Sequence, residues 1–260
     1  MRKKASRIFG LLILFLGGLC FNFVKAQEYK DVAWSDPRPQ DSSYYAFREK
    51  NSIPPFNRKK VQNLIDKRLS TLPDEALTDY DVGISIRDFN TLSFEEKFTY
   101  TMIYPEIFSQ PCAERMFLYD PQNKIFGQLL FVYGGVFWSD RQISFMKKNK
   151  ERVLGLIQNL AVKNHEMGLN YKSAILEIDA WESIPFLIDF YRSNPRDKDI
   201  LTTLLLLLKK AKISDFERSK IYSKLYGSDV SYDSWINFSE ANERYILETA
   251  AAYYKIQQGK

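Results

Sequence analysis

Few side chains in this 260-residue chain could serve as nucleophiles or metal ligands. It contains one histidine, His165, and two cysteines, Cys20 and Cys112. A metal site needs several clustered ligands, and Leu169 stands where an HExxH pattern starting at His165 would need its second histidine. A cysteine or serine nucleophile would need His165 as its base, but Cys112 lies in QPCAE, and the sequence has no GxSxG turn. We therefore expect neither a metal nor a cofactor.

Paired carboxylates are the remaining candidates for catalysis. A glycosidase uses two carboxyl groups and needs no histidine. Asp179 and Glu182 flank Trp181 and form the pair that we would examine first. Other closely spaced acidic residues are Glu95, Glu96, Glu177, Asp197 and Asp199. Acidic residues near helix starts also offset the positive end of the helix dipole, and this structural explanation is favoured over catalysis.

Aromatic residues make up 15% of the chain and could form a binding surface. Their rings can stack on sugars or anchor a protein interface. Most aromatic residues at helical spacing nevertheless lie in the core, which is the simpler interpretation here. The tryptophans that would form an exposed aromatic surface are Trp34, Trp138, Trp181 and Trp235.

The first 26 residues have the pattern of a secretory signal peptide. Four basic residues precede an apolar run that extends from Ile8 to Val24, and cleavage is expected after Ala26. Leu19 in front of Cys20 disfavours a lipoprotein signal, which needs a small residue there. An uncleaved anchor is the alternative, because the run reaches the lower limit of about 17 residues for a membrane-spanning helix. The sequence thus predicts export to a periplasm or to the extracellular space.

The formal net charge of +5 comes entirely from this leader. Residues 1–26 hold five basic and no acidic residues, and removing these five from the 37 basic residues leaves 32, equal to the 32 acidic residues. A neutral chain without a long basic run argues against nucleic-acid binding. Cys112 would be the single cysteine of the mature chain, so no internal disulfide can form, and packing must supply the stability.

Sequence patterns predict a mainly helical domain preceded by an extended arm. Residues 27–56 are rich in Pro, Tyr, Ser and Asp without a clear period, which is typical of an extended segment. Residues 57–260 are interpreted as one helical domain, with residues 110–138 as the place where it would subdivide. The aromatic residues through which the arm would lie on the core are Trp34, Tyr44, Tyr45 and Phe47.

Capping patterns predict where several helices begin and end. Ser93, Ser139 and Ser214 are each followed three residues later by Glu or Gln, which defines a capping box. Pro105 should end the helix that begins at Ser93, and Gly168 is expected to cap the end of a later helix. Two further expectations are a lone strand or an ordered loop around Val82, Ile84 and Ile86, and a central, non-membrane helix containing Leu204 to Leu208.

Short helices joined by short polar links over residues 149–227 resemble HEAT-like α-helical repeats. The segment AWESIPFLIDFYRSNPRDKDILTTLLLLLKK is similar to one helical pair of such a protein. The resemblance implies a curved helical stack that binds a partner, with no catalytic residues to carry over. The expected fold class is therefore mainly α, either an irregular helical bundle or a short α-α repeat stack, with an extended N-terminal arm.

These patterns favour an exported, noncatalytic helical module that binds another envelope or secreted protein. The alternative is a cell-envelope or extracellular carbohydrate-active hydrolase that uses paired carboxylates. A membrane-tethered envelope protein is a third interpretation, which requires the leader to be retained. After cleavage of the leader no membrane span is expected.

Overall fold

The computed structural model describes residues 38–72, 82–108, 118–131 and 136–259, and the structural statements below concern these residues. The leader, Trp34 and Cys112 lie outside them. The described chain is mainly helical, as the sequence predicts. Its helices are α1 (Pro39–Glu49), α2 (Arg58–Leu69), α3 (Ile86–Thr91), α4 (Phe94–Ile103), α5 (Asp140–Lys148), α6 (Lys150–Asn164), α7 (Leu169–Glu177), α8 (Ile184–Ser193), α9 (Asp199–Lys210), α10 (Ser214–Glu217), α11 (Lys220–Tyr226) and α12 (Glu240–Gln258).

Two short antiparallel sheets accompany these helices. The strands are β1 (Ile107–Phe108), β2 (Lys124–Phe126), β3 (Val136–Phe137) and β4 (Trp235–Asn237). Strand β1 pairs with β3, and β2 pairs with β4 so that Ile125 stands opposite Ile236. Both central residues of the second pair are buried, which fixes β2 and β4 against the helical core.

Helix α9 is the centre of the molecule. Its residues from Asp199 to Leu208 are all buried, and it packs against α7, α8, α12 and β2. The predicted central helix is thus observed, because a helix that is apolar on every side needs neighbours on every side. The hydroxyl of Thr202 donates to the carbonyl of Phe126 at 2.9 Å, which joins α9 to β2.

Local capping signals locate some helix boundaries correctly. Ser93 and Ser139 both form complete capping boxes, and α4 ends two residues before Pro105. The box expected at Ser214 does not form, because Ser214 is itself the first residue of the short α10. Ser219 caps α11 instead, its hydroxyl accepting from the backbone N–H of Tyr222 at 3.0 Å.

Of the two alternatives for the segment around Val82, Ile84 and Ile86, the strand does not form and the loop is observed for residues 82–85. Residues 82–85 form an irregular segment, and Ile86 is the first residue of α3. The Ser85 hydroxyl accepts from the backbone N–H of Asp88 at 3.0 Å, so an N-cap interaction begins a helix at the point where alternation suggested a strand.

Part of the segment predicted to be extended forms helix α1. Its buried face consists of Asp41, Tyr44, Tyr45 and Arg48, which follow the spacing expected for one side of a helix. Two of these four side chains are charged, so a hydropathy pattern does not show the helix. The burial of Tyr44 and Tyr45 agrees with the expected packing of this segment on the core.

Residues 50–56 then run without regular structure against the start of α7. The side chain of Asn170 accepts from Ser52 N at 2.9 Å and donates to Ser52 O at 2.8 Å. A Cβ atom on Gly168 would lie 2.1 Å from Ser52 N, so the two backbones can approach only because residue 168 is glycine. Gly168 therefore serves this contact, whereas α6 ends earlier, at Asn164, with His165 in the left-handed conformation.

Two buried ion pairs join α1 and α7 to the beginning of α9. Arg48 donates through Nε and Nη2 to the carboxylate of Asp199 at 2.9–3.1 Å, and both side chains are almost fully buried. Lys172 donates to both carboxylate oxygens of Asp197 at 2.7 and 2.8 Å. Burial raises the pKa of Asp197, and Lys172 opposes that shift by stabilising the charged form. Each buried charge thus depends on a partner that is distant in sequence.

Replacing Arg48 by Met should lower the free energy of unfolding by about 3–5 kcal/mol, because Asp199 would be left buried without its counterion. The double variant Arg48→Met/Asp199→Leu should lose less than the sum of the two single variants, since no unpaired charge remains. Urea denaturation of all three variants measures this difference.

The matched control is Arg192→Met, which removes an arginine from an exposed ion pair with Asp189. Its effect should be about 0–1 kcal/mol. An Arg48→Met variant as stable as this control would contradict the importance of the buried pair.

Glu96 connects α4 to α2. Its carboxylate accepts from Lys60 Nζ at 2.7 Å, from Asn57 Nδ2 at 2.6 Å and from the backbone N–H of Ser93 at 2.9 Å. The hydrogen bonds from Lys60 and from the Ser93 backbone hold the pKa of Glu96 below its ordinary value. The charged carboxylate therefore stabilises the folded state.

Because the pKa of Glu96 is lowered on folding, its contribution is present above the unfolded value of about 4.3 and is lost as the pH falls through the folded value. Glu96→Gln keeps a capping-box side chain but removes the charge, and should cost about 1 kcal/mol at neutral pH. The difference from the parent should shrink below about pH 4, measured by urea denaturation. The control is Glu95→Gln, at an exposed site in the same turn. A loss of unfolding free energy in Glu96→Gln that does not change with pH would contradict this account.

Candidate functional site

The carboxylate pair singled out in the sequence lies between α7 and α8, where each member has its own lysine. Asp179 Oδ1 lies 2.5 Å from Lys210 Nζ, and Glu182 Oε2 lies 2.7 Å from Lys150 Nζ. Lys150 also donates to the backbone carbonyl of Asp179 at 2.9 Å. These contacts connect the turn to α6 and α9, which gives both carboxylates a structural role. Trp181, between them, packs against Tyr254 of α12.

The described tryptophans occupy three separate places. Trp181 packs in the turn just described, and Trp235 lies on β4 with Lys124 Nζ 3.6 Å from its ring centroid. Trp138 precedes α5 and donates from Nε1 to the carbonyl of Thr101 at 2.7 Å. Of these three, Trp138 lines a cavity together with other aromatic side chains. Trp34 lies outside the described residues.

This cavity, which we call the aromatic groove, has a volume of about 330 Å³. It is open to solvent and lies between the segment that follows β2, the start of α5, and helices α7 and α9. The residues that line it are Gln128, Leu129, Leu130, Phe131, Phe137, Trp138, Ile143, Ser173, Leu176, Glu177, Leu206, Lys210 and Tyr232.

Three half-exposed rings distinguish the groove from the rest of the surface. The rings of Phe131 and Tyr232 are stacked, with centroids 5.6 Å apart, and Phe137 meets Phe131 edge-on at 6.4 Å. Phe131, Phe137 and Tyr232 are 49%, 45% and 55% exposed. Partial burial of Tyr232, and secondarily the charge of Asp233, raises the pKa of its hydroxyl above the ordinary value. Clustered exposed aromatic side chains are typical of a binding surface.

The floor and the rim of the groove differ in polarity. Aliphatic side chains of Leu129, Ile143 and Leu206 form part of the floor. Polar side chains occur among the lining residues as well, and Glu177 and Lys210 are held in ion pairs with Lys147 and Asp179. An apolar centre with a polar border is the arrangement found in protein interfaces. Sugars need many hydrogen-bonding groups, and the aliphatic floor supplies none.

Sequence reasoning identified only part of this site. The run IFGQLLFVYGGVFW, residues 125–138, is apolar on every side, which by itself predicts an interior segment, and Ile125, Phe126 and Leu129 are buried. Phe131 and Phe137 are exposed instead, because β2 and Leu129 already cover this side of α9. The sequence around Tyr232, SDVSYDSW, has no apolar period, so it does not indicate that Tyr232 belongs to this site.

Three further observations concern His165, metal ligands and membrane-spanning helices. His165 is exposed at the end of α6. In the described ranges there is no group of three or more His, Cys, Asp or Glu side chains that could hold a metal ion. Among the helices within these ranges, none is both long and apolar enough to cross a membrane.

Comparisons of the chain with protein-family models, with curated proteins and with solved structures found no match.

Proposed function

We propose that this protein is an exported, noncatalytic binding protein whose aromatic groove receives apolar side chains of a partner protein. The observation that carries the proposal is the cluster of three half-exposed rings, Phe131, Phe137 and Tyr232, above an aliphatic floor. Exposed apolar area of this kind costs solubility unless it is covered by a partner.

The chemistry of the lining favours a protein segment as the occupant. A volume of about 330 Å³ suits one or two side chains such as Leu or Phe. Charges of both signs at the rim, Glu177 and Lys210, suit a polar segment that flanks those side chains. Aromatic anchors with such a rim frequently carry most of the binding energy of an interface.

The sequence supports the proposed location and the noncatalytic role. The leader with its expected cleavage after Ala26 implies that the partner is another envelope or secreted protein. The helices between residues 149 and 227 would serve as the rigid support, in the manner that their resemblance to HEAT-like repeats implies. Asp179 and Glu182, the first candidates for hydrolysis, are engaged in ion pairs with lysines.

A dipeptide with apolar side chains, N-acetyl-leucyl-phenylalaninamide, should bind the mature chain and shift the fluorine NMR signal of Trp138 in fluorotryptophan-labelled protein. The double variant Phe131→Ala/Tyr232→Ala should weaken this binding about tenfold or more, because it removes the stacked rings. Its free energy of unfolding should change by about 1 kcal/mol or less, since both rings are half-exposed.

The matched control is Val162→Ala/Ile256→Ala, which removes two exposed apolar side chains that are not among the lining residues of the groove. This variant should bind the dipeptide as the parent does. Chitotriose is the competing probe. A Trp138 shift with chitotriose and none with the dipeptide would refute the protein-binding proposal and favour a carbohydrate ligand.

A further inference from the structure

A second cavity, which we call the basic cleft, has a volume of about 450 Å³ and lies between α2, the segment 82–85 and α5. Three cationic side chains line it: Lys67 and Arg68 from the end of α2, and Arg141 from the first turn of α5. None of the residues that line the aromatic groove takes part in it. The two cavities are therefore separate sites.

Arg141 is held in place by a buried carboxylate. Glu106 is fully buried and accepts from Tyr100 Oη at 2.6 Å, from the Ser139 hydroxyl and from Arg141 through Nε and Nη2. Arg141 Nη2 also donates to the carbonyl of Ile84 at 3.0 Å. The guanidinium is thus fixed before any ligand arrives, and Nη1 makes no hydrogen bond within the parts of the chain that the structure describes.

Arg68 is anchored to the neighbouring carbonyl of the same loop. Its Nε donates to Gly83 O at 2.9 Å. The loop lies directly on the Glu106–Arg141 pair, because a Cβ atom on Gly83 would lie 2.7 Å from Glu106 Cδ and 2.8 Å from Arg141 Nη2. The carbonyls of two consecutive residues, Gly83 and Ile84, therefore orient the guanidinium groups of Arg68 and Arg141. Gly83 permits the close approach of the loop because it has no Cβ atom.

The described residues of the cleft leave an excess of positive charge. Glu106 offsets Arg141, whereas Lys67 and Arg68 form no ion pair with another described residue. Asp88 is the single carboxylate among the lining residues, and the Ser85 hydroxyl donates to it at 2.8 Å. Among the described residues, the lining of the cleft therefore holds three cationic side chains and one carboxylate, a balance that favours the binding of an anion.

We infer that the basic cleft binds a small amphiphilic anion, a carboxylate or phosphate attached to an apolar body. Arg68, whose Nη1 and Nη2 make no hydrogen bond with another described residue, can hold either anion by paired, charge-assisted hydrogen bonds, and Arg141 can add a hydrogen bond through Nη1. The apolar body would lie on Leu64 and Ile86, which also line the cleft. Ile86 is 71% exposed, so covering it removes apolar surface from water.

The test uses isothermal titration of the mature chain with hexyl phosphate, hexanoate, inorganic phosphate and 1-hexanol. Hexyl phosphate and hexanoate should bind more tightly than inorganic phosphate, and 1-hexanol should not bind detectably. Arg68→Gln should weaken the binding of hexyl phosphate about tenfold or more. Lys59→Gln, which makes the same charge change at an exposed position of α2 that does not line the cleft, should leave it unchanged.

Two further variants keep the result unambiguous. Lys67→Gln tests the site at an exposed position if Arg68→Gln proves unstable to heat. Phe131→Ala/Tyr232→Ala should bind hexyl phosphate as the parent does, because the aromatic groove is a separate site. Three results would overturn the inference. These are equal binding of hexyl phosphate by the Lys67, Arg68 and Lys59 variants, binding of 1-hexanol as tight as that of hexyl phosphate, and no binding of hexyl phosphate up to about 10 mM.

A final arm distinguishes a free anion from a lipid headgroup. Vesicles of phosphatidylglycerol should compete with hexyl phosphate only if the cleft can reach a headgroup at a membrane surface. Competition by vesicles in the parent and not in Lys67→Gln would assign the anion to a lipid. If vesicles leave the binding of hexyl phosphate unaffected, the anion is assigned to a free organic molecule. Both results support the site.

Discussion

Two buried carboxylates at the beginning of α9 determine how the N-terminal part of the fold must be arranged. Asp197 and Asp199 are only two residues apart, and each raises the cost of burying the other. Lys172 from α7 and Arg48 from α1 supply the compensating charges. A buried charge without a partner costs several kcal/mol, so α9 can occupy the centre only when α1 and α7 are in position.

The central position of α9 also generates the aromatic groove. Its apolar side chains are covered by α7, α8, α12 and β2, and Leu206 packs with Leu129 and Leu169 at one edge. Because α9 is already covered, the aromatic side chains that follow β2 lie outside the core. Phe131 stays half-exposed and stacks with Tyr232 from a distant loop, so apolar surface remains in contact with solvent at the groove.

The basic cleft arises from a different physical cause. There, the buried carboxylate of Glu106 accepts hydrogen bonds from Tyr100, Ser139 and Arg141, and the loop at Gly83 packs against this network. Hydrogen bonds orient Arg68 and Arg141, and the guanidinium group of Arg141 also lies 4.6 Å from the ring centroid of Phe89. The described part of the chain thus contains an apolar groove and a cationic cleft, each lined by residues of its helices.

The sequence by itself determined the features that depend on neighbours within about four residues. The capping boxes at Ser93 and Ser139 and the end of α4 before Pro105 are of this kind, as is the fully apolar helix of Leu204 to Leu208. Such features could be predicted because the atoms that stabilise them lie in the same short segment.

Tertiary structure alone decided the rest. Helix α1 was concealed because its buried face contains two charged residues: Arg48 is paired with Asp199, and Asp41 is paired with Arg38 and accepts from the backbone N–H of Asp120. The partners of Tyr232 and Glu106 likewise come from distant parts of the chain. Charge compensation and ring stacking act between surfaces that only the folded chain brings together, so no local pattern could have revealed them.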